Sequence, residues 1–430
     1  MKKQEKAAFV EARTDKYFTK SKNIARKFGE RTVKYGVFQR RDVIVAAKPA
    51  VDFIKEYCPT ANVIQHFEEG TIVPPRTKIL TIEGPFTELV ELETLWLQRL
   101  GFTQTCAYNA YKMSLALPNV PFLDMHGRHA TGDDMVKAAA YGAAVGSKTA
   151  RLQGAKGFIG TSNDLTAEYF PIKHGLGTMP HAIIGYAGVV LEEEWEEVKN
   201  GKRTPSQLNH SVWASSQSAK DYANKLGTLL AMQMYVDANP NDTNIVALVD
   251  YFGQEVTDSI TCAKWFYDEE KLHEKGRTFG VRLDTNGERF LEGLDWDKSV
   301  EIVSKWLGVY PIDEYAVVRK VVGNDVFDAA SDSYIDNVRK ILFGKGVSAA
   351  NIMHMRKSLN RAGYSDAQII ASSGFDLFKC QIMAKVNAPI SVVGTGSFLP
   401  KSLSETYTTA DIYRYDNHDS VKVGREWLMD

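Results

Sequence analysis

Two short stretches of this 430-residue chain, IIASSGF and SVVGTGS, run from apolar residues straight into serine, threonine and glycine. Loops of that kind, side by side at the ends of neighbouring parallel strands, can turn several backbone N–H groups toward one phosphate. Ser373, Gly374, Gly394, Thr395 and Gly396 are the residues concerned. GVRLDTNGER sets Arg282 and Asp284 two residues apart on an expected strand, so their side chains leave the same face. Arg282 can then hold an anion and Asp284 a ribose hydroxyl or a metal-bound water, or the two can neutralise each other as an internal ion pair. GLGTMPHA delivers His181 after a glycine turn and a proline, at the start of an expected strand. An imidazole there can act as acid, base or phosphoryl-carrying nucleophile, or can be a residue satisfied by a backbone partner. MHGRHATGDD gathers His126, Arg128 and His129 but lacks a third metal ligand at a recognisable spacing, so Arg128 as an anion holder is the stronger reading.

Those residues need strand ends to hold them, and the chain supplies the runs. From Pro121 onward, PFLDMHG, KGFIGTS, MPHAIIG, NIVALVDYFG, FGVRLDTNG, QIIASSG and PISVVGTG are short, mostly apolar segments of the kind that become strands buried on both faces of a parallel sheet. Their ends also mark Thr161, Ser162, Asn163 and Asp250. Seven such strands with helical stretches between them point to an α/β barrel, with a doubly wound open sheet as the alternative. Between Arg289 and Asp336 the strand spacing lengthens, which predicts an insertion containing the helix DKSVEIVSKWLG. Ahead of Pro121 the style differs. VKYGVFQRRDVIVAA reads as a strand pair around Arg40 and Arg41, and HFEEGTIVPPRTKILTIEGP reads as short strands broken by glycine and proline. FTELVELETLWLQRLGF repeats Leu89, Leu92, Trp96 and Leu100 at helical spacing. The tail TADIYRYDNHDSVKVGRE alternates again and is expected to fold back on the beginning. The expected division is therefore an N-terminal sandwich domain, 1–120 joined by 400–430, and a barrel domain, 121–399.

A charge balance of 52 basic against 53 acidic residues excludes binding driven by bulk attraction to nucleic acid or anionic lipid. Four cysteines far apart form no zinc or disulfide framework, and no apolar stretch has the length of a membrane span, so a cytoplasmic protein with reduced thiols is expected.

Taken in order, TDKYFTKS, FEEGTIVPPRTKILTIEGPFTELVELETLWLQRL, GRHATG, GFIGTSND, GLGTMPHA, VRLDTNG, IIASSGFD and VVGTG resemble the nicotinate phosphoribosyltransferase family through almost the whole chain. The resemblance implies an α/β fold: an irregular, TIM-like α/β barrel plus an N-terminal α/β sandwich, working as a homodimer with shared sites. It implies a NAD-salvage enzyme that joins nicotinate to 5-phosphoribosyl 1-diphosphate with Mg²⁺, coupled to ATP hydrolysis through a phosphohistidine at His181. By the same resemblance Tyr17 stacks on the pyridine ring across the dimer. Arg40 or Arg41 holds diphosphate from the neighbouring subunit. Arg128, Thr161, Ser162, Thr178 and Arg282 line the substrate, Asp284 lies near ribose and metal, and Ser373, Gly374, Gly394, Thr395 and Gly396 form the 5′-phosphate loops. Three positions depart from the family pattern: Met125 and His126 stand where a ring-stacking aromatic is usual, Thr-Asn-Gly follows Asp284 in place of Ser-Gly-Asp, and Ala182 follows the histidine where ATP-using relatives carry Glu. A nicotinamide-using enzyme is the first alternative, although Ser162 in GTSND suits a carboxylate better than an amide. A non-catalytic nucleotide-binding relative is the second.

Overall fold

A computed structural model of the chain describes residues 3–204, 210–401 and 408–430. The strands are β1 (Thr32–Phe38), β2 (Val43–Ile44), β3 (Asn62–Gln65), β4 (Ile72–Val73), β5 (Lys78–Pro85), β6 (Phe122–Asp124), β7 (Phe158–Thr161), β8 (Asn244–Leu248), β9 (Thr278–Leu283), β10 (Gln368–Ala371), β11 (Val392–Thr395), β12 (Thr409–Tyr415) and β13 (His418–Asp419). Two compact units result, one of residues 1–175 with 396–430 and the other of residues 176–395. β6 and β7 go with the first unit. Among the described residues no helix is long and apolar enough to cross a membrane.

In the first unit β13, β12, β1, β5 and β3 form an antiparallel sheet in that order. The tail returns as expected, with β12 pairing β1. Asp416, in the left-handed region at φ 50°, makes the tight turn into β13. Its carboxylate accepts from the Thr32 amide at 2.8 Å and from Arg31 at 2.8 Å, which fixes the register of the returning strand. VKYGVFQRRDVIVAA is not one strand pair, since β1 stays in this sheet and β2 pairs with β4. Helices Lys48–Tyr57 and Phe86–Ala116 cover the sheet around Tyr35, Ile54, Ile82 and the fully buried Trp96. The second of these helices runs on for 31 residues and packs along helix Asp133–Arg151, the connection between the parallel strands β6 and β7. Gly142 and Gly146 allow that approach: a Cβ on Gly146 would stand 2.0 Å from the Ala107 carbonyl oxygen, and one on Gly142 2.5 Å from that of Thr103. The shared helical surface explains why β6 and β7 belong to this unit.

The second unit is built on β8, β9, β10 and β11, all parallel and in sequence order. Six of the seven expected parallel strands therefore exist, and the fold class is α/β. The exception is MPHAIIG, which opens the helix His181–Lys199. Ile184, Ala187, Gly188 and Leu191 are buried at spacings of three, one and three, so the apolar run follows the helical period once the residues beyond Gly185 are counted. Pro180 caps it in extended conformation, φ −88° and ψ 156°. The insertion after Arg289 contains the expected helix, Trp296–Leu307, followed by three more, Glu314–Val322, Asn324–Ala329 and Asp332–Phe343.

Candidate active site

The ends of β8, β9 and β10 meet the start of helix His181–Lys199 around a cavity of about 490 Å³ in the second unit, lined by His181, Asp250, Tyr251, Asp284, Asn286, Gly287, Arg289 and Ser373. His181 is placed by anchors on both sides. Met179 is 1% exposed, and Thr178 accepts a hydrogen bond from Nη1 of the buried Arg282. Asp250 lies two residues beyond β8, and His181 Nε2 stands 3.0 and 3.2 Å from its two carboxylate oxygens. A carboxylate only accepts, so Nε2 carries a proton, and in the neutral form of the ring Nδ1 is the nitrogen with the lone pair. Burial pushes the Asp250 carboxyl above its ordinary range and nearby Asp284 adds to that, while the charge and hydrogen bond of His181 pull it back.

Arg282 and Asp284 form the ion pair that the sequence left as one of two readings, Nη2 to Oδ2 at 3.6 Å. The pair does not use up the aspartate, because Asp284 also forms part of the cavity wall. Ser372 Oγ lies 3.0 Å from Asp284 Oδ1 and 3.1 Å from the Leu283 carbonyl, which ties the end of β9 to the loop after β10. In that loop Ser373 and Gly374 are both left-handed, φ 71° and 68°, and both are exposed. Thr395 donates from Oγ1 to the Phe375 carbonyl at 3.2 Å, so the end of β11 with Gly394 and Thr395 is held against the same loop. The two glycine-serine loops are therefore brought together by a hydrogen bond that spacing alone does not reveal.

The first unit holds the remaining expected residues. Thr161 is fully buried and accepts from Thr166 Oγ1 at 2.9 Å. It also hydrogen-bonds Asp124, whose carboxyl burial pushes up to about 6. Thr161 is thus a support of the strand end, and the neighbouring Ser162 is the exposed one. His126 is buried, with Nδ1 donating to the Gly396 carbonyl at 2.9 Å. Gly396 must be glycine there, as a Cβ would meet the Met125 carbonyl oxygen at 2.7 Å. Arg128 is exposed, on the short turn Gly127–His129. Arg41 donates from Nη2 to Thr105 at 2.7 Å, whereas Arg40 is exposed. Tyr17 is 61% exposed and donates to Asp15 at 3.1 Å. No group of three His, Cys, Asp or Glu able to hold a metal ion occurs among the described residues.

Sequence reasoning marked Asp250 as a strand end without a partner, and it missed Arg289. That arginine donates from Nη2 to the Asp250 carbonyl at 2.9 Å and pairs with the fully buried Glu255 at 2.5 Å. Glu255 also accepts from Thr285 at 2.9 Å, so the Asn286–Arg289 loop is pinned over the end of β8. A signal existed in GVRLDTNGER, where a second arginine follows the first at seven residues.

The domain family described as quinolinate phosphoribosyl transferase, N-terminal domain, matches residues 15–103. A nicotinate phosphoribosyltransferase of Dictyostelium discoideum is 28% identical over 290 residues, which is 64% of this chain and 44% of that protein, so the match spans less than half of the relative's length. Among solved structures, nicotinate-nucleotide pyrophosphorylase from Pyrococcus furiosus superposes with a TM-score of 0.57 at 21% identity, over 96% of this chain and 78% of that one. Human nicotinic acid phosphoribosyltransferase superposes with a TM-score of 0.53 at 14% identity, over 95% of this chain and 75% of that one. At these identities the two superpositions establish a shared fold.

Proposed function

We propose that this chain is a member of the nicotinate phosphoribosyltransferase family and joins nicotinate to 5-phosphoribosyl 1-diphosphate, giving nicotinate mononucleotide and diphosphate, a reading supported by the relatives it resembles. The observation that carries the reading is the cavity where His181 with Asp250, Asp284 and the Ser373 loop come together. In the reaction the pyridine nitrogen attacks ribose C1 as the C1–oxygen bond to diphosphate breaks. The sugar passes through an oxocarbenium-like state that needs no protein nucleophile, only positioning and stabilisation of charge. Asp284 faces the ribose and its developing positive charge. Ser373, Gly374, Gly394 and Thr395, with Gly396, take the 5′-phosphate. Arg282 pairs with Asp284 and holds Thr178 in place, and by the family resemblance Arg128, Thr161 and Ser162 serve the nicotinate carboxylate. In a homodimer the exposed Tyr17 and Arg40 would serve the neighbouring subunit's ring and diphosphate.

Mg²⁺ fits this cavity by its donor chemistry. Asp284 raises the cost of ionising Asp250, which a bound cation would relieve; Asp250 and Asp284 would hold it, and Mg²⁺ is commonly held by one or two carboxylates plus phosphate oxygens. When bound it neutralises the leaving diphosphate. His181 is the residue for ATP coupling. With Nε2 held by Asp250, the Nδ1 lone pair can take the γ-phosphoryl group as ADP leaves, and water later hydrolyses the N–P bond.

Steady-state formation of mononucleotide from nicotinate, nicotinamide and quinolinate, each with phosphoribosyl diphosphate and with or without ATP, tests the reading. Nicotinate is expected to be turned over fastest. A higher kcat/KM for nicotinamide or quinolinate overturns the substrate, and no product from any of the three leaves a nucleotide-binding protein.

A further inference from the structure

The loop after β10 contains a conformational cost that something must hold in place. Ser373 at φ 71° and Gly374 at φ 68° are consecutive left-handed residues, free for glycine but costing on the order of 1 kcal/mol or more for serine. Lys379, from the helix Leu377–Lys385, reaches back over the loop and donates from Nζ to the Ser373 carbonyl at 2.9 Å. The same ammonium lies 4.4 Å from the centre of the Phe375 ring. Asp376 caps the helix by accepting from the Lys379 amide at 2.9 Å, which puts this lysine in the first helical turn. A cation is disfavoured there by the positive end of the helix dipole. Burial disfavours it further, bringing the Lys379 ammonium down to about 8 against support from Cys380 and Asp376. The fold thus keeps a positive charge where two effects oppose it, and the contacts it makes in return are to Ser373 and Phe375. An anion on the exposed face of the loop would offset both effects at once.

We propose that Lys379 is a positioning residue that locks Ser373 in its left-handed conformation, so that the Ser373–Gly374 backbone is pre-set to receive a phosphate monoester, the 5′-phosphate of the ribosyl substrate. This rests on the phosphoribosyl reading above. The lysine acts through Ser373 and does not touch the ligand.

Calorimetric titration of the full chain with ribose 5-phosphate, and separately with nicotinate, tests it. Lys379→Met is expected to weaken ribose 5-phosphate binding by about tenfold or more while nicotinate binding stays within about twofold, and Lys379→Arg is expected to restore most of the loss. Adding Ser373→Gly to Lys379→Met removes the conformational cost, so binding should return without the lysine. Unchanged ribose 5-phosphate affinity in Lys379→Met, equal loss of both ligands, or no recovery with Ser373→Gly overturns the proposal. If Lys379→Met does not fold, the recovery in the double variant decides alone. Lysine-dependent binding of ribose 5-phosphate by a wild-type chain that forms no mononucleotide would keep the loop assignment and remove the reaction. Mononucleotide formation with an unchanged KM for phosphoribosyl diphosphate in Lys379→Met would do the reverse.

Discussion

His181 and Asp250 are useful chiefly as a pair, because the aspartate decides which ring nitrogen keeps a lone pair. Asp250→Asn removes the fixed acceptor and allows the ring to turn or to carry its proton on Nδ1. ATP-stimulated turnover should then fall on the order of 100-fold, with the ATP-independent rate falling less. His181→Ala should abolish ATP stimulation more completely than it lowers the basal rate. Equal losses with and without ATP in either variant would mean that the histidine only lines the cavity. Little of this pair was legible in the sequence. The turn and proline before His181 drew attention to it, but Asp250 lies 69 residues away and only the third dimension joins the two. Arg282 and Asp284 were easier, since two positions on one strand face must share an environment. What spacing could not decide was whether they neutralise each other or serve a ligand; in the structure Asp284 pairs with Arg282 and also lines the cavity.

At the scale of elements, the parallel strands were readable from short apolar runs because both of their faces are buried. MPHAIIG was misassigned for the same reason that periodicity is weak over a few residues: seven apolar-rich positions fit a buried strand and a helical turn alike. The helix becomes evident only when Leu191 and Glu194, buried further along, are counted. Tertiary pairing was equally hidden in VKYGVFQRRDVIVAA, where two adjacent strands join different sheets. The contact between helices Phe86–Ala116 and Asp133–Arg151 depends on two glycines and gives a direct check. Gly146→Ala puts a methyl against the Ala107 carbonyl oxygen and should destabilise the protein by about 1–3 kcal/mol, measured by denaturant unfolding. An exposed-helix glycine replaced by alanine would instead gain stability, so an increase would show that the helices do not approach this closely.

For the whole molecule, each unit contains a buried carboxyl that prefers its proton: Asp124 in the first, pushed up to about 6, and Asp258 in the second, pushed up to about 7. Burial is the main cause for both, with Glu292 and Glu255 adding repulsion at Asp258. Their folded values lie above the ordinary 3.8, so their contribution is complete below about pH 4 and is lost as pH rises through 6 to 7. Asp124→Asn and Asp258→Asn should each raise stability at pH 8, on the order of a few kcal/mol, and change it little at pH 4. A variant that is less stable than wild type at pH 8 would show that the charged form is favoured where it is buried. The cysteines met the expectation of free thiols, all four buried. The motif resemblance runs in order through almost the whole chain, and its departures lie around Met125, after Asp284 and after His181. The most direct measurement is therefore the rate of nicotinate mononucleotide formation by wild type and by Asp284→Asn, side by side, with unfolding curves for both. Expected are product and diphosphate in equal amounts from wild type and a loss on the order of 100-fold or more in a variant that unfolds like it. Equal rates, or no mononucleotide from wild type, would contradict the assignment of this cavity as the site of phosphoribosyl transfer.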